Sequence, residues 1–356
     1  MFLVQDAEHG VFGGTKYNTL PSFNDALAKL RADVAADSPL NIPAEFAGLS
    51  MSDDGAIRHA ATAVDMACTK HSLSQMVSRI KPHDVVGMAG YLAACPPDLR
   101  ALNFNYWHQE FFGPQVENPV SNDVVLRLVR RDQQLLARAV VSKQYVPVDD
   151  LPIISTLHDI MPTDGKARFV RGDVKSYYSI FWADRNKAVG KDEVVAGIRI
   201  INSETGSSSA YIVPIYYSMR TGGCLIMGAH SRKTVGIRHI GQAERLLTKT
   251  YKSVADTVDA NMERLREAAT DYPMGFDTSE ELAVAISKYL TLPVESVIAA
   301  IESCDEDMPN RASIASAVAA QANDVHISKA EDIEIAAGKM ITVSWATLAR
   351  HKHADE

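Results

Sequence analysis

Between residues 123 and 218 the chain is a succession of β-branched or alternating runs, and from residue 167 on the connectors between them are too short to hold a crossover helix. Residues 124–130 and 135–142 read as a hairpin around Arg131, Asp132 and Gln133. Residues 167–174, 176–183, 193–202 and 210–218 follow as four more strands. Parallel neighbours need a dozen or more connecting residues, so this sheet is predicted to be mostly antiparallel and the fold class α+β. Tyr177, Tyr178, Phe181 and Trp182 fall on both faces of their strand, which predicts a strand covered on two sides.

Helical texture flanks this middle lobe. Ser22 caps a predicted helix near residues 24–35, and apolar spacing through Ile57, Ala61, Val64, Ala67 and Cys68 predicts a second over 54–80. A crowd of aromatics, Phe104, Tyr106, Trp107, Phe111 and Phe112, closes the first region and suits packing between lobes. A short amphipathic helix over 151–161 with Asp149 or Asp150 as cap interrupts the strands. After Ile240 a stripe from Ala243 to Met262 predicts a helix reaching about residue 269, and Thr278-Ser279-Glu280-Glu281 reads as a capping box. The division that follows is a mainly helical region over 1–120, a β-rich core over 121–250 and a helical region over 251–356.

Composition narrows the function class. The longest apolar runs fall far short of the roughly 20 residues that span a bilayer, so no membrane segment is expected. The amino terminus lacks a basic region ahead of an apolar core, which predicts a cytoplasmic protein. Cys68, Cys95, Cys224 and Cys304 form no C-x-x-C pair, so neither a zinc site nor a disulfide framework is expected. The net charge is −8 yet unevenly spread. Residues 121–250 hold 19 Lys plus Arg against 12 Asp plus Glu, while the flanks hold 17 against 32. A basic middle between acidic ends is compatible with a polyanion-binding core.

Several segments are similar to a phage- and plasmid-borne family catalogued as domain-of-unknown-function family 932. They are residues 139–149 with Ser142, Tyr145 and Asp149, then Gly197 with Asn202-Ser203-Glu204-Thr205-Gly206. The stretch from Arg220 to Cys224, Arg238-His239-Ile240-Gly241, and residues 335–341 complete the set. The chain departs from that pattern at Thr221-Gly222-Gly223-Cys224-Leu225, where many relatives read Cys followed by Thr-Asn-Gly. The resemblance implies a mobile-element protein from neighbourhoods concerned with DNA replication or recombination.

Candidate chemistry is sparse. Gly228, His230, Arg232, Lys233, Gly236, Arg238 and His239 form a basic, Gly-rich stretch suited to phosphate contact, or equally a strand-to-helix connection whose Arg neutralises an acid. It lacks P-loop spacing. Asn202-Ser203 suits a turn, Ser203 lacks the G-x-S-x-G elbow, and Cys224 suits a buried apolar role. His158-Asp159, His230 and His239 lack the spacing of a metal site. No catalytic residue, metal or cofactor is expected. The leading expectation is a phage or plasmid protein that binds single-stranded DNA without catalysis and assembles as a homo-oligomer. Its contacts are expected from Lys175, Tyr178, Trp182, Arg185, Lys187, Arg199, Arg220, Arg232, Lys233, Arg238 and His239, by backbone charge and base stacking. The alternatives are a protein-binding factor acting on host or phage machinery through acidic flanks, and a nuclease whose Asp159, Asp173 and Glu204 converge.

Overall fold

The computed structural model describes the chain apart from residues 1–2, 5–7, 13–15, 61–63, 81–84, 113–122, 132, 229–242, 306–307 and 353–356. It is an α+β arrangement of two sheets with helices towards both ends. The amino-terminal third supplies β1 (Leu3–Val4), β2 (Glu8–Phe12), α1 (Phe23–Asp37), β3 (Leu40–Glu45), β4 (Leu49–Met51), β5 (Ile57–His59) and β6 (Asp65–Thr69). Then come α2 (Lys70–Ile80), α3 (Val85–Ala94), α4 (Pro97–Phe112), and the hairpin β7 (Asp123–Arg131) and β8 (Gln134–Ser142). Next are α5 (Asp150–Ile160), β9 (Lys166–Gly172), β10 (Ser176–Val189), β11 (Asp192–Asn202), β12 (Tyr211–Ser218) and β13 (Cys224–Ile226). The rest is helical: α6 (Ala243–Ala255), α7 (Val258–Ala268), α8 (Ser279–Leu290), α9 (Val294–Glu302), α10 (Arg311–Ala320), α11 (Ile327–Thr342) and α12 (Trp345–Ala349).

The expected helix over 54–80 is corrected. Its first part folds as β5 and β6, and only α2 is helical. Ile57 and His59 are buried while Arg58 between them is exposed, a period of two rather than 3.6. Arg58 pairs with Asp65 on the antiparallel neighbour, Nε to Oδ1 at 2.7 Å. Gly55, at φ 86°, makes the turn into β5 that no helix would accommodate.

One sheet runs β3-β7-β8-β6-β5-β4, with β1 added alongside β6. The β7–β8 hairpin, expected to open the middle lobe, therefore pairs with amino-terminal strands, and the expected boundary at residue 120 falls inside this first lobe. Phe46, Leu73, Met76 and Phe104 pack against Leu126, Leu128 and Val140 to form its core.

The second sheet is fully antiparallel in the order β13-β12-β11-β10-β9-β2. One face meets α1, α5, α6, α7 and the carboxy-terminal helices through Phe169, Tyr178, Trp182, Ile198, Ile212 and Leu225. The opposite face carries Phe181, Val195, Val213, Ile215 and Tyr217, with Ile335 packed on them. α11 lies along the β13 edge so closely that a Cβ on Gly338 would sit 1.9 Å from the Ile226 carbonyl oxygen. A helix laid there closes a strand edge that would otherwise pair with another chain. Thr278 caps α8 by accepting from the Glu281 amide at 3.2 Å, and Glu281 in turn accepts from the Asp277 amide at 3.1 Å. The long helix expected after Ile240 is divided between α6 and α7 at Asp256 and Thr257.

Candidate functional site

Two segments singled out in the sequence, residues 139–149 and 197–206, meet at the junction of the two sheets, while residues 220–224 and 335–341 lie elsewhere and residues 238–241 lie outside the described residues. β11 ends in Asn202, and the chain turns through Ser203, Glu204, Thr205 and Gly206, whose φ is 76°. The Tyr145 ring lies 3.0 Å from where a Gly206 Cβ would be, so ring and turn require each other. Glu204 accepts from Arg138 Nη1 at 2.6 Å, from the Asp150 amide at 2.9 Å, and through its carbonyl from the Tyr145 hydroxyl at 3.0 Å. Asn202 Nδ2 donates to Asp150 Oδ1 at 2.7 Å and to the Val148 carbonyl at 2.8 Å. Arg138 also donates to the Asp173 carbonyl, and Asp173 pairs with Arg131 at 2.8 Å. Gln75 of α2 bridges both lobes, donating to the Thr205 carbonyl at 2.9 Å and accepting from the Val140 amide at 2.8 Å.

Burial and charge set the electrostatics of this cluster. Asp150, Asn202 and Asp173 are buried, and Glu204 is only 8% exposed. Burial and the neighbouring Glu204 charge push the Asp150 carboxyl up to about 6. Burial also works to raise Glu204, but the Arg138 guanidinium and the Asp150 amide outweigh it and hold that carboxyl below its usual range. Arg138 loses solvation too, and Glu204 restores its charged form. Asp173 and Glu204 thus do converge, with Asp150 as the third acid. They converge on guanidinium groups inside the protein, and Asp159 stands apart at 81% side-chain exposure. Among the described residues no group of three or more His, Cys, Asp or Glu is placed to hold a metal ion. His158 faces Asn24 at 2.7 Å.

The expected nucleic-acid contacts are scattered. Tyr178 is fully buried, edge-on to Phe169 at 5.0 Å, and Trp182 is 2% exposed, so neither ring is open to a base. Arg199 is buried beneath α11, where it grips Glu334 with both terminal nitrogens and Ser179 Oγ with Nε at 2.9 Å. These three assignments are corrected: strand alternation covers both faces of β10 and β11, and cations there must find acids within the protein. Arg185 stacks over Trp182 at 4.8 Å and donates to the Ala255 carbonyl. Lys187 is 3.4 Å from Glu263, and Arg220 is 3.2 Å from Asp305. Lys175 is half-buried in the turn between β9 and β10. Arg232, Lys233, Arg238 and His239 lie outside the described residues, as does His230.

A different surface stands out on the first lobe. α3, with the sequence VVGMAGYLAA, contains no charged or amide side chain, yet Val86 is 89% and Tyr91 49% exposed. Beside it α4 exposes Leu102 at 66% and Tyr106 at 59%, and Asn103 donates to the Tyr91 hydroxyl across the two helices. Of the aromatic crowd, Phe104 is buried and Phe112 packs on Phe46 at 4.8 Å, within the first lobe rather than between lobes. The uncharged α3 was visible in the sequence, but nothing there told which side would meet solvent.

No protein-family model, curated protein or solved structure matches the chain. Cys68, Cys95 and Cys224 are buried free thiols, and burial pushes the Cys68 and Cys224 thiols up to about 12. Among the described residues no helix is long and apolar enough to cross a membrane.

Proposed function

We propose that the protein is a non-catalytic protein-binding factor whose contact face is the α3–α4 hairpin of the first lobe. The observation that carries this reading is α3: ten consecutive residues without charge, one side of which faces solvent. A helix that is apolar all round belongs in a core or an interface, and large contiguous apolar patches mark association surfaces. Gly87, Gly90 and Ala94 share that outer side with Val86 and Tyr91, and a Cβ at Gly90 would meet nothing within 4 Å. Small residues there let a second helix approach closely, so the partner is a protein presenting an apolar, weakly charged helix. Tyr91, Leu102 and Tyr106 are the anchors such an interface uses. The expected sheet-borne contact with single-stranded DNA has lost its aromatic stacking and several of its cations to intramolecular contacts, which favours the protein-binding alternative.

The test is a photo-crosslinking residue at position 102, compared with one at position 274, since Met274 is 74% exposed and far from α3 in sequence, in cells that make the protein. A heterologous adduct formed at 102, absent at 274 and lost in Gly90→Glu with an unchanged melting temperature, is expected. Equal adducts at both positions, or adducts only between copies of the chain, would overturn the reading.

A further inference from the structure

We propose that the second face of the six-stranded sheet holds a binding site for a phosphate group, built on Arg168 and Lys166 of β9 with the hydroxyl of Ser179 beside them. Lys166 and Arg168 point to one face of β9, together with Val170. Register brings Arg168 opposite Ser179, and Ser179 opposite Arg199, so a row of two guanidiniums flanks one hydroxyl across three strands. Arg199 is fully committed: its Nε donates to Ser179 and its terminal nitrogens hold Glu334. Arg168 is not. Its Nε is buried without a hydrogen-bond partner, and among the described residues neither Arg168 nor Lys166 forms an ion pair.

A withdrawn guanidinium without a counter-charge is costly, by several kcal/mol for a fully buried ion. Here burial, and then repulsion from Arg199, act against its charge. The adjacent Glu334 carboxylate is already shared out to Arg199, and Glu331 on the same face accepts from the Tyr211 hydroxyl, so neither carboxylate is paired with Arg168 or Lys166. A guanidinium fork fits the paired oxygens of an oxyanion. Two cations without a paired carboxylate, with a hydroxyl beside them, offer more donors than a singly charged carboxylate can use and suit the three terminal oxygens of a phosphate dianion. Ser179 accepts from Arg199 and keeps its own proton to donate to the ligand.

Thermal unfolding with inorganic phosphate, at ionic strength held constant with chloride, tests the site. The native chain is expected to show a saturable upward shift in Tm. Arg168→Met should lose that shift, with an affinity at least about tenfold weaker. Its ligand-free Tm should equal or exceed the native value, because an unpaired charge has been replaced by an apolar group. Lys166→Met, a milder change, should retain the fold and weaken the response. A lower ligand-free Tm in Arg168→Met would make Arg168 structural, and an unchanged phosphate response in that variant would reduce the effect to bulk salt; either overturns the proposal. An equal response to acetate would assign a carboxylate instead. Saturation by oligothymidylate at lower concentration than by phosphate would place a nucleic-acid phosphodiester there, and also overturns it.

Discussion

Arg138 of β8 and Glu204, 66 residues later at the end of β11, meet at 2.6 Å in the buried seam between the two sheets. Arg138 sits on a strand of one sheet and Glu204 in the turn that leaves a strand of the other, so the pair fixes how the sheets are joined. Tyr145, Asp150, Asn202 and Gln75 complete a network in which one group after another is held by a partner from the opposite lobe.

Glu204→Gln should destabilise the protein by about 3–5 kcal/mol, because it leaves the Arg138 charge buried without compensation. Replacing both partners, Arg138→Met with Glu204→Leu, should cost less than the Gln variant alone. Urea unfolding of the three variants checks this ordering. A double variant as damaging as the sum of its parts would remove the coupling.

Stability should depend on pH through Asp150. Its folded carboxyl sits at about 6 against an ordinary 3.8, so the folded state binds this proton more tightly than the unfolded chain does. That contribution is full below pH 3.8 and is lost as pH rises through about 6. Glu204 runs the other way: held below 4.5, it contributes above that pH and fades as pH falls. Asp150→Asn should therefore flatten the decline in unfolding free energy between about pH 4 and 7, a decline of at most about 3 kcal/mol, measured by denaturant titration at fixed ionic strength. An equally steep decline in the variant would take Asp150 out of the account.

Tyr178→Ala should lower stability by about 3–5 kcal/mol, the cost of truncating a large buried ring. Any affinity of the protein for single-stranded DNA should be unchanged in variants that remain folded, since the ring faces Phe169 and not solvent. Thermal unfolding and fluorescence anisotropy on the same preparation separate the two effects.

Local pattern made much of this fold legible. The antiparallel second sheet, the β7–β8 hairpin, α5 and the cap of α8 all follow from alternation, short connectors and capping residues, which act within a few positions of one another. The first sheet was obscured because Ile57, Ala67 and Cys68 satisfy a helical spacing as well as two short strands, and only pairing with β8 decides between them. The double covering of β10 follows from Tyr177, Tyr178, Phe181 and Trp182 on both of its faces, and that covering is what removes the expected stacking role of Tyr178. The clustering of Arg138 with Asp150 is not legible along the chain, because their contacts are set by how two sheets dock and no spacing encodes that. The same holds for Arg168, whose significance lies in the partner that Arg199 takes.

Gly338→Ala tests the closest approach of helix to sheet. The added methyl would lie 1.9 Å from the Ile226 carbonyl oxygen and 2.6 Å from its carbon, both backbone atoms that no side-chain rotation can move aside. α11 must therefore shift outward, which pulls Ala337 and Met340 from the main core and Glu334 from Arg199. Overpacking alone costs about 1–3 kcal/mol, and loosening a buried ion pair adds to it, so a loss of about 3 kcal/mol or more is expected in denaturant unfolding. Ala336→Gly, two residues away on the same helix, carries the propensity cost of about 1 kcal/mol with a lost buried methyl. A Gly338→Ala loss no larger than a helix gains from Ala in place of Gly would show that α11 does not seal the β13 edge as tightly as described.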